Sequence, residues 1–359
     1  MKEISIDELT IGMCLSKDLY NDLGNIILSQ GTEIQSRHLD YFKNHGIYFV
    51  YISETDLNNI RNSNDHKVRT SQTEKYRYIN THYALALDRF KKTYYQVMNK
   101  DFQIDVISIE EDIKPLVDTL LSDNDVLGSM RLLSFRESYH FTHAVNVSML
   151  GAMLGKWLGL DKNTIYQIAL AGLLHDIGKT QISQELFSKT TKLTQIELEE
   201  VRSHARWGYN LLKDTPGIPR DVLAAILFHH ERSDGSGYPS GLKEDQTPYI
   251  ARIIGVVDVF DAITSDRIYK KGVSSFRAFN ILKDESFKGL DPTISDVFMS
   301  NIASFFINNR VKLNDGRIGE VIYVNKFALN RPLIKIADTF IDLSSDYSLD
   351  IEEVLTFQH

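Results

Sequence analysis

The 359-residue sequence contains one cysteine, Cys14, so it can form no internal disulfide and no metal site built from several thiolates. That scarcity fits a reducing compartment. No apolar run approaches the ~18 residues needed to span a bilayer. The opening Met1-Lys2-Glu3-Ile4-Ser5-Ile6-Asp7 is too polar and acidic for a secretory signal. A cytoplasmic chain without a membrane span is therefore expected. Positive charge is also in deficit, with 40 Lys and Arg against 48 Asp and Glu and a net charge of −8. Duplex nucleic acid is then a poor partner, and any anionic ligand needs a local cluster of cations or metal. No fixed-period repeat marks a solenoid.

What is present is an ordinary globular composition, 43% hydrophobic and 25% charged, with length for two to three domains at about 150 residues each. Residues 1–55 read as a small α+β module. It has a strand at Ile26-Ile27-Leu28 after the turn Asn21-Asp22-Leu23-Gly24, a short helix near 36–44, and a strand from Ile47 to Ile52. Residues 56–75 are polar and read as a linker. Connecting helices are expected over 76–129: Tyr76 to Met98 carries apolar residues at helical spacing, and a second helix starts near Ser108, with Ser108 and Glu111 as a capping box. Helices dominate 130–310. Over 311–359, Asn314-Asp315-Gly316 between Val311-Lys312-Leu313 and Ile318 to Val324 signals a hairpin, and Leu333 to Ile336 adds a strand, so a small β appendage is expected. The fold class is mainly α.

Five of the eleven histidines, His143, His175, His204, His229 and His230, lie between residues 143 and 230. His175-Asp176 ends an apolar helical run that starts near Thr164, with Asp161 or Asn163 as the cap and Gly178 as the stop. Adjacent helical residues point about 100° apart. A neighbouring His and Asp therefore cannot chelate one ion as an i, i+4 pair does, but they can straddle two ions, with Asp176 as a bridge. His229-His230 closes the run Asp221 to Phe228, and the same geometry gives each imidazole a different ion or edge. Asp258 sits in Ile253-Ile254-Gly255-Val256-Val257-Asp258-Val259-Phe260, a carboxylate among apolar residues that needs a partner to be buried. A metal would be such a partner, and sulfur-free N/O ligands suit Mn, Fe, Zn, Ni or Co alike. Taken singly, a histidine on an apolar helix is ordinarily a hydrogen-bonded core residue; it is their joint spacing that points to a site. Asp261 reads equally as a cap, a partner for Arg267, or a group bonded to a ligand. His38, His45, His66, His82, His140 and His359 read as surface or structural, and Cys14 as a small core residue.

His175-Asp176 with the later Asp258, together with His229-His230-Glu231-Arg232-Ser233-Asp234-Gly235-Ser236-Gly237-Tyr238-Pro239, resembles the HD-GYP family, the cyclic-di-GMP phosphodiesterase branch of the HD metallophosphohydrolases. The resemblance covers roughly residues 130–310. It implies an all-helical bundle holding two divalent metal ions, iron or manganese, that hydrolyses cyclic di-GMP to pGpG and in some members onward to GMP. By matched motif positions it implies metal ligands His143, His175, Asp176, His204, His229, His230 and Asp258. It also implies catalytic roles for Asp176 and Lys179, with Lys179 at the scissile phosphate. Gly237, Tyr238 and Pro239 would line the nucleotide site, Tyr238 by stacking on a guanine, and Arg267 and Lys270 would form a phosphate-binding pair.

The sequence departs from the family pattern in three places. Ala205 follows His204 where proline is common, and Ile268 replaces a proline in the phosphate-binding turn, so altered loop stiffness is expected. Tyr139 stands four residues before His143, where trinuclear members carry a glutamate, which implies a binuclear site and a metal-held hydroxide as nucleophile. The N-terminal block resembles modules found ahead of HD-GYP domains and implies regulation through a homodimer or a signalling partner. Two other functional readings stand beside the phosphodiesterase: a catalytically weak cyclic-di-GMP sensor, and an HD phosphohydrolase acting on another nucleotide.

Overall fold

The computed structural model describes residues 2–6, 9, 13–20, 26–35, 38–39, 42, 47, 49–52, 66–98, 104–122, 139–187, 189, 191–265 and 273–355. The chain divides into two compact units, which meet in sequence between Tyr78 and Ile79.

In the first unit, β1 (Lys2–Ser5) pairs antiparallel with β4 (Phe49–Ile52) in the register Ile4↔Val50, and β2 (Leu19–Tyr20) pairs with β3 (Ile26–Leu28). Ile6, Leu9, Met13, Leu15, Ile34, Phe42, Val50 and Ile52 form its own core. Cys14 is half-buried beside that core and makes a bridge with Glu33. The expected strand at 26–28 is present, and the one expected over 47–52 is a strand over Phe49–Ile52. The Asn21–Gly24 turn lies outside the described residues, as does most of the helix expected over 36–44, of which His38, Leu39 and Phe42 are helical.

Helix α1 runs over His66–Met98, so the end of the polar stretch read as linker is helical. Lys, Arg, Gln and Glu are good helix formers, and a scarcity of apolar residues does not by itself break a helix. Helix α2 spans Val106–Ser122. Its cap is Asp105, whose carboxylate accepts from the Ser108 backbone N–H at 3.1 Å and the Ser108 hydroxyl at 2.6 Å. The expected capping box at Ser108 is thus displaced by three residues, because a second good capping side chain lies one turn upstream.

The bundle is built from α3 (Tyr139–Trp157), α4 (Lys162–Leu174), a 3₁₀ turn (Ile177–Gln181), α5 (Gln184–Phe187), α6 (Gln195–Arg202), α7 (His204–Leu212), α8 (Arg220–Phe228), α9 (Tyr249–Thr264), α10 (Ser275–Phe287) and α11 (Pro292–Ser304). Asp161 caps α4, accepting from the N–H groups of Asn163 and Thr164. Thr194 and Glu197 form a reciprocal capping box on α6. Buried residues surround α3 and dominate α9, which is the pattern of central helices covered on every side by others.

The chain ends in an antiparallel sheet of order β8-β7-β6-β5-β9, from β5 (Arg310–Leu313), β6 (Ile318–Tyr323), β7 (Leu333–Ile336), β8 (Thr339–Asp342) and β9 (Ile351–Leu355). The β5–β6 hairpin turns at Asn314-Asp315-Gly316 as its sequence predicts. Inward residues Val311, Leu313, Val321, Ile334 and Ile351 belong to the same apolar cluster as the helices. The mainly α class is borne out, with small β elements toward each end.

Candidate metal centre

The helix ends determine where the polar side chains converge. Helix α4 stops at Leu174, leaving His175 as its C-cap and Asp176 as the residue leading into the 3₁₀ turn. Gly178 is inside that turn, not the helix stop. His229 is likewise the C-cap of α8, and His204 begins α7. His143 comes from α3 and Asp258 from α9. All seven sequence-predicted ligands meet in two adjoining groups. In each group, one ligand atom per residue lies within 4.8 Å of the others: Asp176, His204, His229 and His230 in one, and His143, His175 and Asp258 in the other.

Asp176 stands between the two groups. Its Oδ1 is 3.3 Å from His204 Nε2, and its Oδ2 is 3.4 Å from His175 Nε2 and 3.8 Å from His143 Nε2. Asp258 is placed similarly, with Oδ1 3.1 Å from His143 Nε2 and Oδ2 3.9 Å from His230 Nδ1. Apart from the Lys179 ammonium, which pairs with Asp176 Oδ2, and His143, which donates to Asp258, the facing atoms of Asp176, Asp258, His175, His204 and His229 are acceptors.

The histidines are oriented by their other nitrogens. Nδ1 of His175, His204 and His229 bonds the carbonyl three residues earlier, at Gly172 (2.7 Å), Val201 (2.6 Å) and Ile226 (2.9 Å). A carbonyl only accepts, so Nδ1 carries the proton and Nε2 offers its lone pair to the centre. Burial depresses the pKa of His204, and burial with His175 and His204 alongside brings His229 down to about 3, so both are neutral at pH 7. Their two Nε2 atoms nevertheless face each other at 3.4 Å. His175 Nε2 and Asp176 Oδ1 are fully buried with no hydrogen bond. Lone pairs so opposed in a dry interior call for a cation between them.

His143 differs. Burial opposes its charge, but donating to Asp258 and to Asp261 (Nδ1 to Oδ2, 2.7 Å) outweighs burial and raises its pKa to about 9. A metal taking Nε2 would displace that proton. Burial opposes ionisation of Asp176 and Asp258 as well, yet Lys179 and His175 beside the first, and His143 beside the second, hold both carboxyls well below the usual range. His230 has no carbonyl anchor among the described residues; its ring stacks on Tyr238 at 4.6 Å, and burial pushes its pKa down.

Tyr238 also lies under the Arg202 guanidinium, 5.4 Å from the ring centre, and the Tyr238–Pro239 peptide is cis. Arg206 donates to the Pro239 carbonyl at 2.8 Å. Buried Glu231 accepts from the backbone N–H groups of Ser240 (2.7 Å) and Leu242 (2.9 Å), tying the loop back on its own start. The sequence reading did not single out Arg202, Arg206 or Glu231; only the position of Glu231 directly after the histidine pair hinted at a role. Asp261 proves to be bonded to a candidate ligand, and its spacing of three from Asp258 on one helix was the available signal. Arg267 and Lys270 lie outside the described residues.

Gly237 is where the loop comes closest to the helix end. A Cβ there would fall 2.4 Å from Glu231 Cα and from Arg232 N, both backbone. Gly237→Ala is expected to displace the loop and cost about 1–3 kcal/mol while leaving metal binding nearly intact. Thermal melts alongside metal titration check this.

The profile of the HD domain family matches residues 128–294, the segment of the helical bundle that brings the five histidines and two aspartates together. With its Gly237-Tyr238-Pro239 loop, that segment is similar to the HD-GYP type of the family. It is 34% identical over 233 residues to a cyclic di-GMP phosphodiesterase of Pseudomonas aeruginosa, covering 65% of this chain and 56% of the relative. It is 35% identical over 170 residues to the cyclic di-GMP phosphodiesterase response regulator RpfG of Xanthomonas campestris, covering 47% and 45%. A 3'3'-cGAMP-specific phosphodiesterase of Vibrio cholerae is 34% identical over 172 residues, covering 48% and 40%. The chain thus spans about half the length of the curated relatives it matches. Among solved structures, Bd1817, a HDG"Y"P protein from Bdellovibrio bacteriovorus, shares the fold, with a TM-score of 0.54 at 18% identity over 83% of this chain and 97% of that one. No helix among the described residues is long and apolar enough to cross a membrane.

Proposed function

We propose that the chain is a metal-dependent phosphodiesterase that opens cyclic di-GMP to pGpG at a binuclear centre of iron or manganese. The carrying observation is the set of opposed lone pairs, His204 Nε2 against His229 Nε2 and against Asp176 Oδ1. One cation would take His204, His229, His230 and Asp176, and the other His143, His175 and Asp258, with Asp176 reaching both. When bound, such a pair supplies a hydroxide at neutral pH and positive charge for the phosphoryl oxygens.

The chain's own residues do the rest. The carbonyl-anchored histidines keep their lone pairs aimed inward, so little reorganisation is needed on loading. Lys179, partnered by Asp176, is the cation at hand for a phosphate oxygen, and Arg267 and Lys270 are proposed to hold the second phosphate. Tyr238 is proposed to hold His230 in place and line the nucleotide site. The relatives named for cyclic di-GMP support the substrate. Those named for 3'3'-cGAMP make the second base the feature to vary.

The test is anaerobic purification, parallel loading with iron or manganese, and chromatography of products from cyclic di-GMP, 3'3'-cGAMP and a linear dinucleotide. Turnover of cyclic di-GMP to pGpG with either metal is expected. Saturable cyclic di-GMP binding without turnover would replace the enzyme with a sensor, and preference for another nucleotide would replace the substrate.

A further inference from the structure

The buried polar contacts of His143 do not end at Asp261. The other carboxylate oxygen, Oδ1, accepts from Asn146 Nδ2 at 2.9 Å, and Asn146 Oδ1 accepts from the Tyr83 hydroxyl at 2.9 Å. Ser265 Oγ adds a bond to Asp261 Oδ2 at 3.1 Å. Tyr83 is 1% exposed and Asp261 4%, so water competes poorly for these bonds. Tyr83 belongs to α1, ahead of the segment 128–294 that matches the HD family. His143 and Asn146 sit three apart on α3, on one face, which lets a single carboxylate from α9 bond both.

We propose that Tyr83 is a positioning residue for His143, acting through Asn146 and Asp261, so that the placement of the upstream helix sets the geometry of one metal position. This rests on the metal-centre reading. The physical reason is that an imidazole ligand is aimed by whatever its second nitrogen bonds. His175, His204 and His229 are aimed by backbone carbonyls three residues earlier in the chain, Val201 being in the last turn of α6 just ahead of His204, so each carbonyl is tied covalently close to its imidazole. His143 alone of the four has a side chain of another helix as its nearest Nδ1 partner, Asp261 at 2.7 Å against 3.3 Å for the Tyr139 hydroxyl of its own helix, and Asp261 is held through Asn146 by Tyr83 on α1. A shift of α1 would therefore reach His143 and leave the other three as they are.

The test uses the full chain and three variants: Tyr83→Phe, Asp261→Asn, and Ile79→Val as a packing control on the same helix, buried and without a polar side chain. Cobalt(II) alone is titrated, with its visible spectrum recorded. Histidine ring ¹⁵N signals of the metal-free protein are followed in parallel. Direct loss of such a partner weakens metal binding by about 10–100-fold, which is the range expected for Asp261→Asn. Tyr83→Phe, two bonds further out, should fall near the lower end, at about tenfold for one of two ions, with an altered cobalt spectrum. In the metal-free protein, only the His143 ring signals should shift. Wild-type affinity and an unchanged His143 ring in Tyr83→Phe would overturn the proposal, as would equal effects from Ile79→Val. If the wild type binds no cobalt, the metal-centre reading fails, while the ring signals still decide whether Tyr83 reaches His143.

Discussion

Replacing Asp176 with asparagine is expected to strip the centre of at least one metal ion and lower turnover by about a thousandfold or more, with the fold retained. Asp176 presents Oδ1 to His204 and Oδ2 to His175 and His143, so it is the side chain placed to neutralise and space two cations. Asparagine keeps the volume, which leaves the packing of this 7% exposed position undisturbed. It loses the charge, and one end becomes an N–H donor that repels a cation. Losing about 4 kcal/mol of charge stabilisation corresponds to roughly a thousandfold in rate. Asp176→Ala should do the same and leave a void beside Lys179. Metal content by mass spectrometry, a thermal melt and turnover separate loss of metal from loss of fold. A fully metal-loaded, active Asp176→Asn protein would remove Asp176 from the bridging position and leave the two groups as independent sites.

Gly178→Ala is expected to be the most damaging small change in the bundle. A Cβ at Gly178 would sit 2.0 Å from the His204 carbonyl oxygen and 2.4 Å from the Gly208 nitrogen. Both are backbone atoms of α7, so no side chain can swing aside. The 3₁₀ turn and α7 must separate, and they carry the candidate ligands Asp176 and His204 at their near ends. The stability cost should reach or exceed the roughly 1–3 kcal/mol typical of overpacking, lowering Tm by several degrees. Metal affinity should fall as well, because the 3.3 Å spacing of His204 and Asp176 depends on that close approach. Melts with and without added manganese measure both effects. An alanine variant with wild-type melting and wild-type manganese affinity would show that the turn and the helix can part without moving the ligands.

Much of the fold and the site was legible because the signals are local. His175-Asp176 at the end of an apolar run, His229-His230 at the end of another, and the Asn-Asp-Gly hairpin each follow from spacing and turn chemistry within a few residues. The expected cap of helix α2 failed for an equally local reason: Asp105 and Ser108, three residues apart, are both good caps, and sequence alone does not say which one the chain uses. Glycine 178 read as a helix stop because glycine often is one, whereas here its missing side chain admits α7.

By itself, then, the sequence determined the helical class and the absence of a thiolate centre, since residue type and helical period are written along the chain, and its motif resemblance named the seven side chains that converge. Tertiary structure alone decided that the seven divide into two groups around Asp176 and that Tyr238 stacks on His230. It also decided that Asp261 bonds His143 and that a tyrosine on α1 stands behind both. Those are contacts between residues up to 118 positions apart. They arise from how helices pack, which no local period encodes.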